Sequence, residues 1–251
     1  MIPKIIHYCW FGRGKMPELA SKCIASWKKF FPDYEIKEWN EDNFDVNMTP
    51  YTAEAYKAKK YAFVSDYARF WILYKYGGLY FDTDVEVIKP MDAIIEKGAF
   101  MGFENNGATT GSAPGLGLSV APGLGLGVAP GLGLYKEILD YYAGEHFFNE
   151  DGSMNLMTVV LRTTSILKKH GLIEENRFQV VADVNIYPFD YFCPIRITDG
   201  KLCLTANTVS IHHYAASWTT PTHRFLRKII LAVGGYRLKL FLSKLAQING
   251  H

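Results

Sequence analysis

The stretch Tyr76–Pro90, "YGGLYFDTDVEVIKP", decides how the rest of the chain is read. Its two glycines can leave a helix through backbone conformations that other residues avoid. The run "LYFDTDVEVI" that follows is apolar and β-branched enough to predict a strand, closed by Pro90. Two carboxylates interrupt that strand one residue apart. Alternate side chains of an extended strand share a face, so Asp82 and Asp84 are expected side by side, with Thr83 turned away. Burying two uncompensated carboxylates among apolar flanks is costly. A divalent cation removes that cost, and magnesium, manganese and calcium commonly keep open positions for water and phosphate oxygens. The stretch therefore predicts a site for a metal diphosphate at the end of a buried strand.

The preceding segment, "YAFVSDYARFWILYKY", has helical period and stops at Gly77 and Gly78. Asp66 and Arg69 lie three apart on one face of this helix, among Phe63, Val64, Phe70 and Trp71. A planar guanidinium held by a carboxylate in such surroundings presents an oriented donor to sugar hydroxyls or phosphate. Near the other end of the chain, "SIHHYAASW" collects His212, His213, Ser217 and Trp218. Adjacent histidines of a strand face opposite ways, so one of the two is expected at the acidic site, and His213 is taken as that one.

Working outward, "KIIHYCW" reads as a first strand, "LASKCIASWKKF" as a helix, and "YEIKEW" as a second strand after the turn at "FPD". "PYTAEAYKA" is helical in period, as are "YKEILDYYA" and "NLMTVVLRTTSILKKHG". "AFMGFE", "RFQVV", "KLCLT" and "VSIHHY" are short strand candidates. The alternation predicts a mainly parallel, Rossmann-like three-layer α/β domain, whose ligands bind where loops converge beyond the carboxyl ends of the strands. One low-complexity element interrupts the pattern: an eight-residue repeat over 113–136, "APGLGLSV", "APGLGLGV", "APGLGLYK". Glycine and proline at this density predict an irregular loop beside the site. The phosphate-binding spacing G-x-x-x-x-G-K-[ST] is missing from it.

The chain has 251 residues, 49% of them hydrophobic, enough for one large α/β domain. Its cysteines, Cys9, Cys23, Cys193 and Cys203, are scattered without a C-x-x-C pair, which predicts reduced thiols rather than a zinc knuckle or a disulfide framework. No uninterrupted apolar run reaches the roughly 18 residues of a membrane span. The net charge of +2 conceals an asymmetry. After Asp199 there are seven Lys or Arg and no Asp or Glu, and removing those seven from the 27 basic residues leaves 20 against 25 acidic. The bulk of the chain is thus acidic, which argues against a nucleic-acid partner. The terminal "RFLRKIILAVGGYRLKLFLSKL" mixes apolar and basic residues at helical spacing and predicts an amphipathic helix, either packed on the core or lying on an anionic membrane surface.

Taken together, "IPKIIHYCWFG", "SDYARFWILYKYGGLYFDTDVEV" and "IHHYAASW" resemble the DXD-containing glycosyltransferases. These include bacterial capsular polysaccharide transferases, Och-type mannosyltransferases and, more distantly, the clostridial glucosylating toxins. The resemblance implies a GT-A fold over 1–218, and the basic amphipathic segment read from the residue pattern follows at 219–251. It implies a nucleotide-sugar donor, with UDP favoured and GDP-mannose the alternative, together with manganese or magnesium and retention of anomeric configuration. The implied acceptor is a glycan or lipid-linked saccharide of polysaccharide biosynthesis, reached from the cytoplasm or the inner face of the membrane. Carried over residue by residue, Asp84 ligates the metal, while Asp82 contacts ribose or donor sugar and the metal through water. Trp10 stacks on the base, Asp66 and Arg69 hold the donor sugar, His213 returns to the metal, and Ser217 and Trp218 lie near the diphosphate. The three tandem glycine-rich copies depart from the family pattern. Two other classes fit parts of the sequence: a nucleotidyltransferase, which would release pyrophosphate, and a glycan-binding protein without turnover, in which the aspartates and Trp10 would have no reason to persist.

Overall fold

The computed structural model describes residues 1–104, 118–196 and 200–215. Strand β1 (Ile5–Cys9), helix α1 (Glu18–Phe30) and strand β2 (Glu35–Trp39) form the first β-α-β unit. Helices α2 (Pro50–Lys57) and α3 (Tyr61–Tyr76) follow, then β3 (Gly78–Tyr80), β4 (Val85–Val87), α4 (Asp92–Ile95), β5 (Phe100–Gly102) and β6 (Leu126–Val128). The last part contains α5 (Gly133–Ala143), α6 (Val159–Lys169), β7 (Gln179–Val181), β8 (Val184–Tyr187) and β9 (Ser210–His212). A seven-stranded sheet runs in the order β2-β1-β3-β6-β5-β8-β7, and β4 pairs with β9 in a separate two-stranded ribbon. Taking β1 as reference, β2, β3, β5 and β8 run with it, and only β6 and β7 run against it. The mainly parallel α/β architecture expected from the sequence is the fold that the chain adopts.

Alternation along the strands divides the core between the two faces of this sheet. Ile6, Tyr8, Leu79 and Phe100 pack with α1 on one side, and Cys9, Tyr80 and Met101 pack with α2, α3, α5 and α6 on the other. Helix α1 faces its layer with Ala20, Cys23 and Trp27 at helical spacing, and the Trp27 indole donates to the Val85 carbonyl at 2.7 Å. Helix α3 is different: it is buried on nearly every side, and its polar Asp66 and Arg69 are buried with the rest. It ends as the sequence predicts, with Gly77 at φ 64° and Gly78 at φ 98°. A Cβ on Gly78 would lie 2.6 Å from the Ile5 carbonyl, so the tight exit from helix to central strand requires glycine.

Three expectations are corrected. The single strand expected over "LYFDTDVEVI" is two strands, β3 and β4, joined by a turn in which the Val85 amide donates to the Asp82 carbonyl at 3.0 Å. Asp82 and Asp84 therefore flank a turn that carries the chain from the main sheet to the β4–β9 ribbon. Aspartate favours such turns, and here that preference overrides the strand propensity of its flanks. "KLCLT" forms no strand, only an isolated bridge between Ile195 and Leu202.

The third correction concerns the repeat. Its second copy, Ala121–Val128, is wholly buried and supplies β6, hydrogen-bonded between β3 and β5 in the middle of the sheet. Glycine weakens most strands, but it is required where another group approaches the backbone closely. A Cβ on Gly127 would fall 2.1 Å from the Phe100 ring, itself stacked on Phe192 at 5.9 Å. Gly127→Ala is accordingly expected to cost about 1–3 kcal/mol of stability through overpacking. A lower urea midpoint with an unchanged slope would register this, and an unchanged midpoint would contradict it.

Candidate active site

The carboxyl ends of β1 and β3 and the turn after β3 open into a cavity of about 450 Å³. Trp10, Asp66, Arg69, Asp82, Asp84 and His212 all line it. Each arrives for a local reason. Trp10 follows β1 directly, its backbone amide tied to the Trp39 carbonyl at 2.8 Å and its indole nitrogen donating to Gly14 at 2.7 Å. Asp66 and Arg69 come from one face of α3, and the turn after β3 delivers Asp82 and Asp84. Antiparallel pairing sets Val85 opposite His212, which brings that histidine to the turn.

Arg69 joins the acids. Its Nη2 lies 2.9 Å from Asp66 Oδ1 and 3.3 Å from Asp82 Oδ1, its Nε donates to the Ser65 carbonyl at 3.1 Å, and its Nη1 is 3.5 Å from Asp82 Oδ2. The Tyr80 hydroxyl donates to Asp82 Oδ1 at 3.1 Å. Asp84 accepts the Ala215 amide at 2.8 Å, and its other oxygen lies 3.2 Å from His212 Nε2. Although the strand that was to set the aspartates side by side does not exist, donor atoms of Asp82, Asp84 and His212 lie within 4.8 Å of one another.

Burial and charge set the protonation states. Burial alone would raise Asp84, but His212 and the Ala215 amide hold it down to about 2. Burial raises Asp82 and the Asp84 charge adds to that, with Arg69 opposing. Burial likewise pushes Asp66 up to about 6 despite Arg69. His212 is the reverse case: desolvation would lower it, and the Asp84 carboxylate raises it instead. Counted formally with His212 neutral, four carboxylates, Asp66, Asp82, Asp84 and Glu104, against the one guanidinium of Arg69 leave a surplus of three negative charges around the cavity. That surplus, with two oxygen donors and one imidazole nitrogen already convergent, fits a divalent cation of the manganese or magnesium kind.

The expectation that His213 joins the aspartates is overturned. Strand alternation turns it to the other face, where its Nε2 lies 2.8 Å from Glu86 Oε2. Its contribution to the site is through the backbone, the His213 amide donating to the Asp84 carbonyl at 2.9 Å. Ser217 and Trp218, and the segment 219–251, lie outside the described residues. Sequence reasoning also missed Gly123, whose carbonyl accepts the Asp82 amide at 3.2 Å and whose missing side chain leaves room for the Asp82 carboxylate. Glu104 just beyond β5 and Thr158–Val160 at the start of α6 complete the lining. Glu104 could have been flagged, because it follows the carboxyl end of a strand that runs with β1.

The histidines give a direct comparison. His212→Ala is expected to weaken manganese binding about 10- to 100-fold, and His213→Ala to leave it within about twofold. In the unaltered protein, a metal held there would have to displace the proton that Asp84 favours on His212. Affinity should therefore climb with pH by up to about tenfold per unit until His212 is neutral, and then level off, while Asp84 stays ionised throughout. Manganese titration across pH measures both effects. An equal loss in the two variants, or a pH slope retained without His212, would contradict the assignment.

Fold and site together make a mainly parallel α/β scaffold with Asp82, Asp84 and His212 convergent beyond the carboxyl ends of its central strands. Residues 17–101 match the family described as "Glycosyltransferase sugar-binding region containing DXD motif", so the resemblance read from the sequence stands. Among characterised proteins, the chain is similar to two from Schizosaccharomyces pombe. It is 31% identical to inositol phosphoceramide mannosyltransferase 1 over 111 residues, 40% of this chain and 33% of that protein. It is 32% identical to inositol phosphoceramide mannosyltransferase 3, also over 111 residues, 40% of this chain and 29% of that protein. The chain thus spans about a third of the length of these relatives. Similar solved structures include the PaToxG glycosyltransferase, at TM-score 0.48 and 20% identity over 67% of this chain and 69% of that one. Another is a glycosyltransferase involved in glycosylation of the major capsid of PBCV-1, at TM-score 0.49 and 13% identity over 88% and 97%. No helix among the described residues is long and apolar enough to cross a membrane.

Proposed function

We propose that this protein is a metal-dependent, retaining glycosyltransferase. In this reading it moves a sugar from a nucleotide-sugar donor to a glycan or lipid-linked saccharide acceptor of polysaccharide biosynthesis. The catalytic unit is residues 1–218, with 219–251 appended. The observation that carries the reading is the convergence of Asp82, Asp84 and His212 beside the Asp66–Arg69 pair in a cavity that Trp10 also lines. Asp82, Asp84 and His212 would hold the cation, which when bound supplies Lewis-acid stabilisation of the negative charge that grows on a departing diphosphate.

The chain's own residues account for the rest. Arg69, fixed by Asp66 and by the Ser65 carbonyl, keeps Asp82 turned toward Asp84. Its loosely engaged Nη1 leaves a donor for a sugar hydroxyl, so Asp66 and Arg69 form the wall against which the donor sugar rests. Trp10 offers an aromatic face to the base. In a front-face transfer the bond from the anomeric carbon to the diphosphate breaks as the bond to the acceptor oxygen forms on the same side. The acceptor proton then passes to the leaving phosphate oxygen, and no separate general base is needed. A hydrolase would instead place two carboxylates on opposite sides of the scissile bond, which Asp82 and Asp84, convergent on one side of the cavity, do not do.

UDP-linked sugars are the favoured donors, and the mannosyltransferase relatives make GDP-mannose the alternative to test beside them. A panel of UDP-glucose, UDP-galactose, their N-acetyl forms and GDP-mannose, with and without manganese, tests the reading. The expected result is manganese-dependent binding of one donor and release of its nucleoside diphosphate. Release of pyrophosphate from a nucleoside triphosphate would assign the site to a nucleotidyltransferase.

A further inference from the structure

Behind the cavity wall, side chains from α2, α3, α5 and α6 meet in a cluster of buried polar groups that the transfer reaction leaves unused. Arg162 of α6 is fully buried. Its guanidinium is ringed by Tyr51 of α2 at 5.3 Å and by Tyr141 and Tyr142 of α5 at 5.3 and 5.1 Å from the ring centroids. Nη1 donates to Glu145 Oε2 at 2.6 Å, and Nε donates to the Met157 carbonyl at 3.2 Å. Nη2 has no hydrogen-bond partner among the described residues, and neither have the hydroxyls of Tyr51 and Tyr142, whose rings meet edge to face at 5.0 Å. Burying a polar group without a partner is costly, so three of them in one cluster call for an explanation. Stability is not a sufficient one, because the desolvation of a buried ion pair offsets its attraction.

Asp66 of α3 supplies the explanation. Val159 and Arg162 lie three apart on α6 and so share a face. Thr158–Val160 line the cavity, the Val159 amide donates to Asp66, and Arg162 stands about one turn further along the helix. Burial pushes the Asp66 carboxyl up to about 6; Arg69 opposes this, the Asp82 charge adds to it, and Arg162 and the Val159 amide oppose it as well. The same carboxylate acts on both phenols: burial raises them, the charge of Asp66 raises them further, and Arg162 works against it. A guanidinium and two hydroxyl dipoles fixed around a buried carboxylate take over the role of the water it has lost.

We propose that Arg162 is a positioning residue for the donor sugar: with Tyr51 and Tyr142 it supports the Asp66 carboxylate from behind, and Asp66 in turn holds Arg69 in the wall against which the sugar rests. The inference rests on the donor-sugar wall of the transferase reading and adds the residues that support it. The test uses the full chain with manganese and the panel of nucleotide sugars named above, each titrated beside its own nucleoside diphosphate, UDP or GDP. The ratio of the two affinities isolates the sugar's share of binding. Arg162→Met keeps the volume and removes the charge; it should lower that ratio about tenfold and leave diphosphate binding within about twofold. Arg162→Lys should restore part of the ratio. Tyr51→Phe with Tyr142→Phe keeps both rings and should lower the ratio about threefold, which tests the cluster independently of the Arg162 variants. Glu145→Gln breaks the ion pair but leaves the charge beside Asp66, so the urea midpoint should fall while the ratio stays at the parent value. A parent ratio in both Arg162→Met and the double tyrosine variant would overturn the proposal. So would a loss of diphosphate binding in step with the nucleotide sugar, or a loss of the ratio in Glu145→Gln equal to that in Arg162→Met, since each marks a structural tie alone. A parent protein that binds none of these nucleotides with manganese would remove the transferase reading itself, and this proposal with it.

Discussion

If the proposed function holds, Asp84→Asn is expected to eliminate metal-dependent donor binding and to lower sugar transfer by roughly 10³-fold, the scale expected when a preorganised electrostatic stabiliser is lost. Its carboxylate is firmly ionised, held at about 2 by His212 and the Ala215 amide against the pull of burial. An amide of the same shape still fills the space, but it can no longer supply charge to a cation or keep its hold on His212. The fold survives, because the turn is fixed by the backbone bond from Val85 to Asp82 and the ribbon by the β4–β9 pairing. Circular dichroism should match the parent, while manganese titration and nucleoside diphosphate release both fail. Turnover close to that of the parent would remove Asp84 from the mechanism.

How much of this was legible in the sequence depended on how local each determinant is. Helix α3 has the bounds that were read, Tyr61–Tyr76, because its apolar run and the glycines that stop it lie within one segment. The burial of Asp66 and Arg69 followed from the same run. The turn at Asp82–Val85 was not read, since period-two alternation fits "LYFDTDVEV" as one strand. The opposing signal, the turn preference of aspartate, was present in the same residues. The choice between His212 and His213 was not local at all. Alternation says that only one of them faces the aspartates, and the pairing of Val85 with a strand more than a hundred residues away decides which. Strand β8 passed unread because "VNIY" is short and follows a tight turn at Ala182 and Asp183, both with positive φ.

The glycine-rich repeat shows the same limit in its strongest form, because two glycines of a single copy have different duties. In the second copy Gly127 is confined by the Phe100 ring and serves the core. Gly123, four residues earlier, is confined by the site: a Cβ there would fall 2.0 Å from Asp82 Oδ2 and 3.3 Å from Arg69 Nη1. The backbone at Gly123 has no positive φ that alanine would resist, so the main obstacle is that carboxylate, with the Arg69 guanidinium next. In Gly123→Ala, Asp82 must leave Tyr80 and Arg69 and swing into the open side of the cavity, since its side chain is already 30% exposed there. Stability should fall by no more than about 1–3 kcal/mol, since a surface-facing carboxylate yields more readily than a packed ring. Transfer should fall by about 100-fold, because the cation loses a fixed ligand and Arg69 loses its second anchor. Gly127→Ala should do the opposite, lowering stability while the folded fraction keeps its activity. Measuring turnover and urea midpoint in both variants separates the two duties. If Gly123→Ala keeps full activity, Asp82 does not need the position in which the structure holds it, and its assignment to the metal fails.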